Sequence, residues 1–109
     1  MDNLTSNKYE RHIKYLLGQV HIFQMQQYQG DYGAVVILTD LETAIKSAML
    51  TNKQREALRL VYVIDLTQGE AAIRLGVSQQ AVDMAVNAGV RKIAHIYKGW
   101  AGKEVKRKW

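Results

Sequence analysis

Five side chains between residues 79 and 87 have types and spacing that suit hydrogen bonding to the edges of DNA bases. Gln79, Gln80, Asp83, Met84 and Asn87 recur at the spacing of one helix face. In the major groove, Gln and Asn bond bidentately to adenine, a carboxylate accepts from the cytosine amino group, and an apolar side chain contacts the thymine methyl. The pattern predicts a base-reading surface that starts at the two glutamines and ends at Asn87.

The excess of positive charge lies in the residues that follow this segment in the sequence. Residues 1–90 hold eight Lys or Arg and nine Asp or Glu, a balance of −1, whereas residues 91–109 hold seven basic residues against one glutamate, a balance of +6. Basic side chains neutralise phosphates without regard to base sequence. We expect phosphate contacts from Ser78, Arg91, Lys92 and Lys98. Residues 103–109 either add to these contacts or form a solvated tail.

Two short helices joined at Gly76 are predicted to position these side chains. Thr67 and Glu70 have the spacing of a capping box at the start of the first helix. Gly76 allows a sharp turn, and Ser78 caps the second helix. The inward face of that helix is apolar at Val82, Val86, Val90, Ile93 and Tyr97. This arrangement is a helix-turn-helix, and a plain helical hairpin is the alternative.

The whole chain is predicted to be a single all-α domain of about five helices. Its 109 residues include no proline and suffice for one modest core. Capping-box spacing marks four helix starts, at Asn7, Thr39, Thr51 and Thr67. The predicted helices are 7–29, 39–49, 52–65, 67–75 and 78–98. We divide the domain into an N-terminal helical part (1–49), a helix-turn-helix module (50–98) and a basic tail (99–109).

The first helix carries an apolar seam that packs either within the chain or against a second copy. The seam consists of Tyr9, Ile13, Leu16, Val20 and Phe23, at alternating steps of four and three residues. A homodimer through this seam is the alternative to an ordinary core contact. After a break at residues 30–33, the β-branched run 34–38 is expected to be a buried approach to the second helix, because no partner for a strand is evident.

A set of positions from Leu50 onward combines an LT-x-x-Q-R-E opening with the helix-turn-helix. These positions are Leu50, Thr51, Gln54, Arg55, Glu56, Leu58, Leu60, Tyr62, Glu70, Ala71, Ala72, Leu75, Gly76, Val77, Ser78, Val82, Arg91, Lys92 and Ile93. Through them, residues 50–96 resemble the fourth region of sigma-70-type factors and the small phage regulators built on that module. The resemblance implies binding to upstream promoter DNA and, in sigma factors, contact with core RNA polymerase.

Three functions fit these observations. The leading hypothesis is a phage-encoded, sequence-specific transcription regulator that binds double-stranded DNA, as a monomer or a homodimer. Where the sigma family presents basic residues on its promoter-reading helix, this chain has amides and Asp83. That face also suits a protein that binds RNA polymerase or a sigma factor, as co-activator or inhibitor. The third candidate is a DNA recognition subunit like the phage small terminase.

The composition argues against an enzyme and against a membrane or disulfide-bonded protein. The chain has no cysteine, and its three histidines, His12, His21 and His95, lack metal-ligand spacing. It shows no Gly-rich phosphate loop, no signal-peptide pattern, and no apolar run near the roughly 20 residues of a membrane span. We expect a cytoplasmic protein with no catalytic residues and no metal or nucleotide cofactor.

Overall fold

A computed structural model describes the backbone of residues 2–107 and the side chains of residues 8–102. Within residues 2–107 the protein is all-helical and has no β-strand. The α-helices are α1 (Asp2–Gly18), α2 (Val20–Tyr28), α3 (Tyr32–Ser47), α4 (Asn52–Leu58), α5 (Gln68–Leu75) and α6 (Gln79–Arg107), and a π-helical turn (Arg59–Val63) follows α4. The all-α prediction is confirmed, although this part of the chain forms six α-helices rather than about five.

The predicted first helix is divided into α1 and α2. The break lies at Gln19, whose backbone (φ −107°, ψ 9°) departs from helical geometry. Gly18 precedes it, and glycine is the weakest helix former after proline. The predicted start at Asn7 is also wrong, because α1 begins at Asp2 and residue 7 lies inside it.

Helix α3 starts earlier than predicted, so residues 34–38 are helical rather than an irregular approach. Asp31 caps α3, and its Oδ1 accepts a hydrogen bond from the Ala34 N–H at 3.2 Å. Thr39, the predicted cap, lies within the helix. Valine and isoleucine lower helix stability by only a few tenths of a kcal/mol, about the amount that burying a single methylene recovers. The buried face of α3 therefore decides its conformation.

Helix α6 lies at the centre of the molecule and packs against α1, α3, α4 and α5. Its predicted apolar face is buried at Val82, Val86, Val90 and Ile93, and Tyr97 is half-buried. The seam of α1 and α2 faces the same core: Ile13 and Leu16 are buried in it, and Tyr9, Val20 and Phe23 are partly buried and pack against it. The seam therefore packs within the core of one chain and is not available for contact with a second copy.

A π-helical turn carries the chain from α4 towards the helix-turn-helix. The Ile64 N–H donates to the Arg59 carbonyl oxygen at 2.9 Å, a bond that spans five residues instead of four. The prediction of a regular helix to residue 65 is therefore wrong in its last turn. His21 Nε2 lies 2.7 Å from the Val63 carbonyl oxygen, and this hydrogen bond ties α2 to the turn.

Candidate nucleic-acid interface

The helices α4 and α5 both begin with complete capping boxes, as predicted. Thr67 Oγ1 accepts from the Glu70 N–H at 3.1 Å, and Glu70 Oε1 accepts from the Thr67 N–H at 3.0 Å. The hydrogen bond from the Thr67 N–H, with a smaller effect of the Thr67 hydroxyl, favours the carboxylate and lowers the pKa of Glu70 below its ordinary value. Thr51 and Gln54 make the same reciprocal pair, with both distances at 3.1 Å. The first turn of each helix is therefore fixed by its own side chains.

A left-handed residue, Gly76, makes the sharp turn between α5 and α6. Its φ of 68° and ψ of 34° lie in the region that glycine adopts without a steric cost. The Val77 N–H donates to the Ala72 carbonyl oxygen at 3.0 Å, the long bond of a Schellman motif. Ser78 Oγ accepts from the Ala81 N–H at 3.0 Å and caps α6. The structure confirms the predicted turn and cap.

The first turns of α6 present the predicted base-reading side chains to solvent. Gln79, Gln80, Asp83 and Met84 are exposed, and Asn87 is half-buried; we call these five residues the amide stripe. Since Val82, Val86 and Val90 bury the opposite face, the stripe points outward from the core. It starts directly after the turn, where the second helix of a helix-turn-helix presents its base-contacting residues.

Gln68, which no sequence pattern indicated, orients Asp83 through a hydrogen bond. Gln68 Nε2 donates to Asp83 Oδ1 at 3.2 Å, across the corner between α5 and α6. At the same corner, a Cβ on Gly69 would lie 3.7 Å from Gln79 Oε1, so the start of α5 lies alongside the amide stripe. No helical periodicity pairs residues fifteen positions apart. Only the packing of the two helices reveals the contribution of Gln68.

Basic side chains follow the amide stripe along α6, and two of the predicted phosphate-binding residues also contact other helices. Arg91 is exposed, and its Nε lies 3.7 Å from Glu10 Oε1 on α1. Lys92 is half-buried, and its Nζ donates to Gln54 Oε1 at 2.9 Å. Lys98 is exposed one to two turns further on. The structure therefore brings Arg91 and Lys98 to the surface and uses Lys92 to link α6 to the start of α4.

Comparison with known proteins gives one match. Residues 47–93 match the family model described as sigma-70, region 4. The chain contains a sigma region 4-like helix-turn-helix. The matched range runs from the end of α3 to the middle of α6 and includes the capping boxes, the turn and the amide stripe. No curated protein and no solved structure matches the chain.

Sigma region 4 is a DNA-binding helix-turn-helix domain and not a catalytic one. In this sigma region 4-like module, α4 approaches α6 closely at Gly89, where an added Cβ would lie 2.8 Å from Leu58 Cδ1. Both residues are buried. The role of Gly89 is not evident from the sequence, because a glycine within a helical pattern does not indicate which neighbouring side chain requires it.

The part of the chain that the structure describes has neither a metal-binding cluster nor a membrane-spanning helix. There, His, Asp and Glu side chains form no group of three or more that could hold a metal ion. None of the helices there has both the length and the apolar character needed to cross a membrane. The predicted end of the last helix at residue 98 is wrong, because α6 continues to Arg107 through most of the predicted basic tail 99–109. The side chains from residue 103 onward lie outside the described part of the structure.

Proposed function

We propose that this protein is a sequence-specific transcription regulator that inserts the start of α6 into the DNA major groove. The observation that carries the proposal is the amide stripe, which is exposed on the first turns of α6 directly after the Gly76 turn. Gln79 and Gln80 come first on the helix and are the primary base-contacting residues. Their bidentate donor and acceptor pairs match the adenine edge.

The remaining members of the stripe define the rest of the base contacts. Asp83, oriented by Gln68, accepts from a cytosine amino group and repels bases that present acceptors at that position. Met84 meets a thymine methyl. Asn87 lies at the end of the stripe, nearest the point where α6 leaves the groove.

Phosphate contacts flank the stripe in this proposal. Arg91 and Lys98 are exposed on the turns of α6 that follow it, and Ser78 precedes it at the helix N-terminus, where backbone N–H groups favour anions. Lys92 assists by keeping α4 and α6 together while its charge stays near the surface. Affinity and base choice then depend on different turns of one helix.

The amide stripe also supports a second candidate function, binding to RNA polymerase or a sigma factor. From residue 79 to residue 90, α6 contains one charged side chain, Asp83, and no basic one. This stretch lacks the positive charge that adds to DNA affinity. A pull-down with purified core polymerase in the absence of DNA tests this candidate directly.

The primary test is selection of bound sequences from a random DNA pool, followed by two substitutions. Gln80→Ala should lower the ratio of specific to random-sequence affinity by about 5- to 150-fold, the equivalent of about 1–3 kcal/mol for a bidentate base contact. Lys98→Ala should weaken both DNAs alike and reduce the slope of log affinity against log salt concentration by about one. Lys46→Ala, an exposed lysine on α3, is the matched control and should change neither quantity.

Two results would contradict the proposal. An equal loss of affinity on specific and random DNA for Gln80→Ala would remove the base-reading role of the stripe. A pool without an enriched sequence, together with retention on core polymerase, would favour the second candidate.

A further inference from the structure

Helix α2 and the first half of α3 are almost devoid of charge. Charged residues make up 23% of the chain, a fraction that corresponds to about five among 22 residues. Residues 18–39 contain one, Asp31. Its carboxylate is engaged in capping α3. This part of the hairpin therefore lacks most of the charged side chains that keep a water-facing helix surface solvated, whereas the second half of α3 carries Asp40, Glu42 and Lys46.

The same hairpin exposes a concentration of large apolar side chains. They are Ile22, Met25, Tyr28, Tyr32 and Val36, whose exposed fractions range from 42% to 93%. Five of the ten large hydrophobic residues that are exposed in the described part of the chain thus lie within fifteen consecutive positions. Scattered apolar residues on a surface need no explanation, but such a cluster indicates an interaction site.

Helix α2 lacks the internal support that the other helices have. It has no buried residue, and α3 is its main packing partner. Its nine residues are also fewer than the roughly 12–15 that an isolated helix needs in water. A further surface packed on its outer side would supply the missing burial.

We propose that the outer surface of the α2–α3 hairpin is a symmetric dimer interface between two copies of this chain. In a two-fold dimer each surface meets its own copy, so any excess of one charge would repel itself. With Asp31 as the one charge among residues 18–39, this surface keeps that repulsion small. Its composition, rich in Tyr and Met and poor in Lys, Glu and Asp, is that of the buried centre of an interface.

The exposed aromatic side chains supply a large part of the area that a specific dimer needs. Tyr28 and Tyr32 are exposed by 93% and 78%, and at about 150–250 Å² for a buried aromatic residue they supply roughly 300 Å² together. A standard interface takes about 800 Å² from each partner. Ile22, Met25 and Val36, which are 42–59% exposed, and the neighbouring glutamines of α2 add to this area.

Dimerisation through the hairpin is compatible with the proposed function but does not depend on it. The exposed apolar cluster at residues 22–36 lies outside the matched range 47–93, so it shares no residue with the helix-turn-helix module. A dimer formed there carries two modules, and two modules read two half-sites, which gives a palindromic target.

Sedimentation equilibrium of the full chain without DNA tests the dimer. At about 100 µM the wild type should have twice the mass of one chain, since interfaces of this size bind with micromolar or tighter affinity. Ile22→Glu and Met25→Glu each bring two carboxylates together across the symmetry axis and should weaken the dimer at least tenfold. Because the interface carries a single charge per copy, on Asp31, the wild-type mass should change little between low and high salt.

Matched controls separate dimerisation from folding. Ile73→Glu makes the same change at an 84% exposed position on α5 and should leave the dimer intact. Tyr28→Glu, at the most exposed position of the hairpin, should dissociate the dimer without changing the helical circular dichroism spectrum.

A monomeric wild type at this concentration would overturn the proposal, as would an oligomer that survives the hairpin substitutions. Retention of a monomeric chain on core RNA polymerase through these same residues would assign the hairpin to that partner and would also overturn the dimer. None of these outcomes depends on DNA binding, so they leave the proposed function to its own test.

Discussion

Glycine has opposite effects at two positions of α6. Within a helix it lowers stability by about 0.8–1.0 kcal/mol relative to alanine. At Gly99 nothing lies within 4 Å of the point where a Cβ would be, whereas at Gly89 that point is 2.8 Å from Leu58 Cδ1 and 3.4 Å from its Cγ. Gly99 therefore lowers helix stability without any packing advantage, and Gly89 permits the contact between α4 and α6.

We expect Gly89→Ala to lower the free energy of unfolding by about 1 kcal/mol and Gly99→Ala to raise it by about 0.5–1 kcal/mol. In the first variant, overpacking of a buried leucine costs about 1–3 kcal/mol and exceeds the gain in helix propensity. In the second variant, only the higher helix propensity of alanine changes the free energy of unfolding. Urea unfolding followed by circular dichroism measures both values, and equal stabilisation by the two substitutions would contradict the close approach of α4 and α6.

At the scale of helices, two threonines with the same local pattern have different positions. Thr67 and Thr39 are each followed three residues later by glutamate. Thr67 caps α5 through reciprocal hydrogen bonds. Thr39 lies in the interior of α3, where its carbonyl oxygen accepts a bond from Thr43 Oγ1 at 2.9 Å.

We expect Thr67→Ala to lower the free energy of unfolding by about 1 kcal/mol, because it leaves N–H groups at the start of α5 without a partner. Thr39→Ala should raise it by a few tenths of a kcal/mol, since alanine has the higher helix propensity. The urea midpoints of the two variants measure the difference. A comparable loss of unfolding free energy in both variants would show that α3 begins at Thr39.

For the whole molecule, the pKa values define a pH range of maximal stability. Hydrogen bonds from Arg59 at 2.9 and 3.0 Å lower the pKa of Glu56, as those of Thr67 do for Glu70. Their contribution is present above the ordinary value near 4.5 and is lost as the pH falls through the folded-state pKa. Burial, with the nearby Asp40 carboxylate, raises the pKa of Tyr97 to about 12.

The Tyr97 contribution has the opposite dependence on pH. The folded state favours the neutral phenol, so its stabilising effect is complete below the ordinary value of 10 and is lost between pH 10 and pH 12. The protein should therefore be most stable between about pH 5 and pH 10.

We expect Tyr97→Phe to reduce the fall in stability between pH 10 and pH 12, because the variant keeps the aromatic ring in the core and removes the ionisable hydroxyl. Urea unfolding at pH 8, 10 and 11 measures the slope. Tyr15→Phe, at an exposed position, is the control. An unchanged alkaline slope in Tyr97→Phe would contradict the effect of burial on this phenol.

The sequence by itself determined the parts of the protein that depend on neighbours within about four positions. The capping boxes at Thr51 and Thr67, the left-handed turn at Gly76 and the Ser78 cap are local hydrogen bonds and backbone preferences, so residue types at fixed spacing suffice to predict them. The apolar period from Val82 to Ile93 fixed which face of α6 is buried and, by elimination, which face carries the amide stripe.

Tertiary structure alone decided the features that depend on residues far apart in the chain. It made residues 34–38 helical, paired Gln68 with Asp83 and Lys92 with Gln54, and required glycine at position 89. Each of these depends on how helices pack, and burial free energy outweighs local propensities of a few tenths of a kcal/mol. The sequence therefore indicated where a helix-turn-helix lies, and packing decided which of its side chains are exposed and which are held.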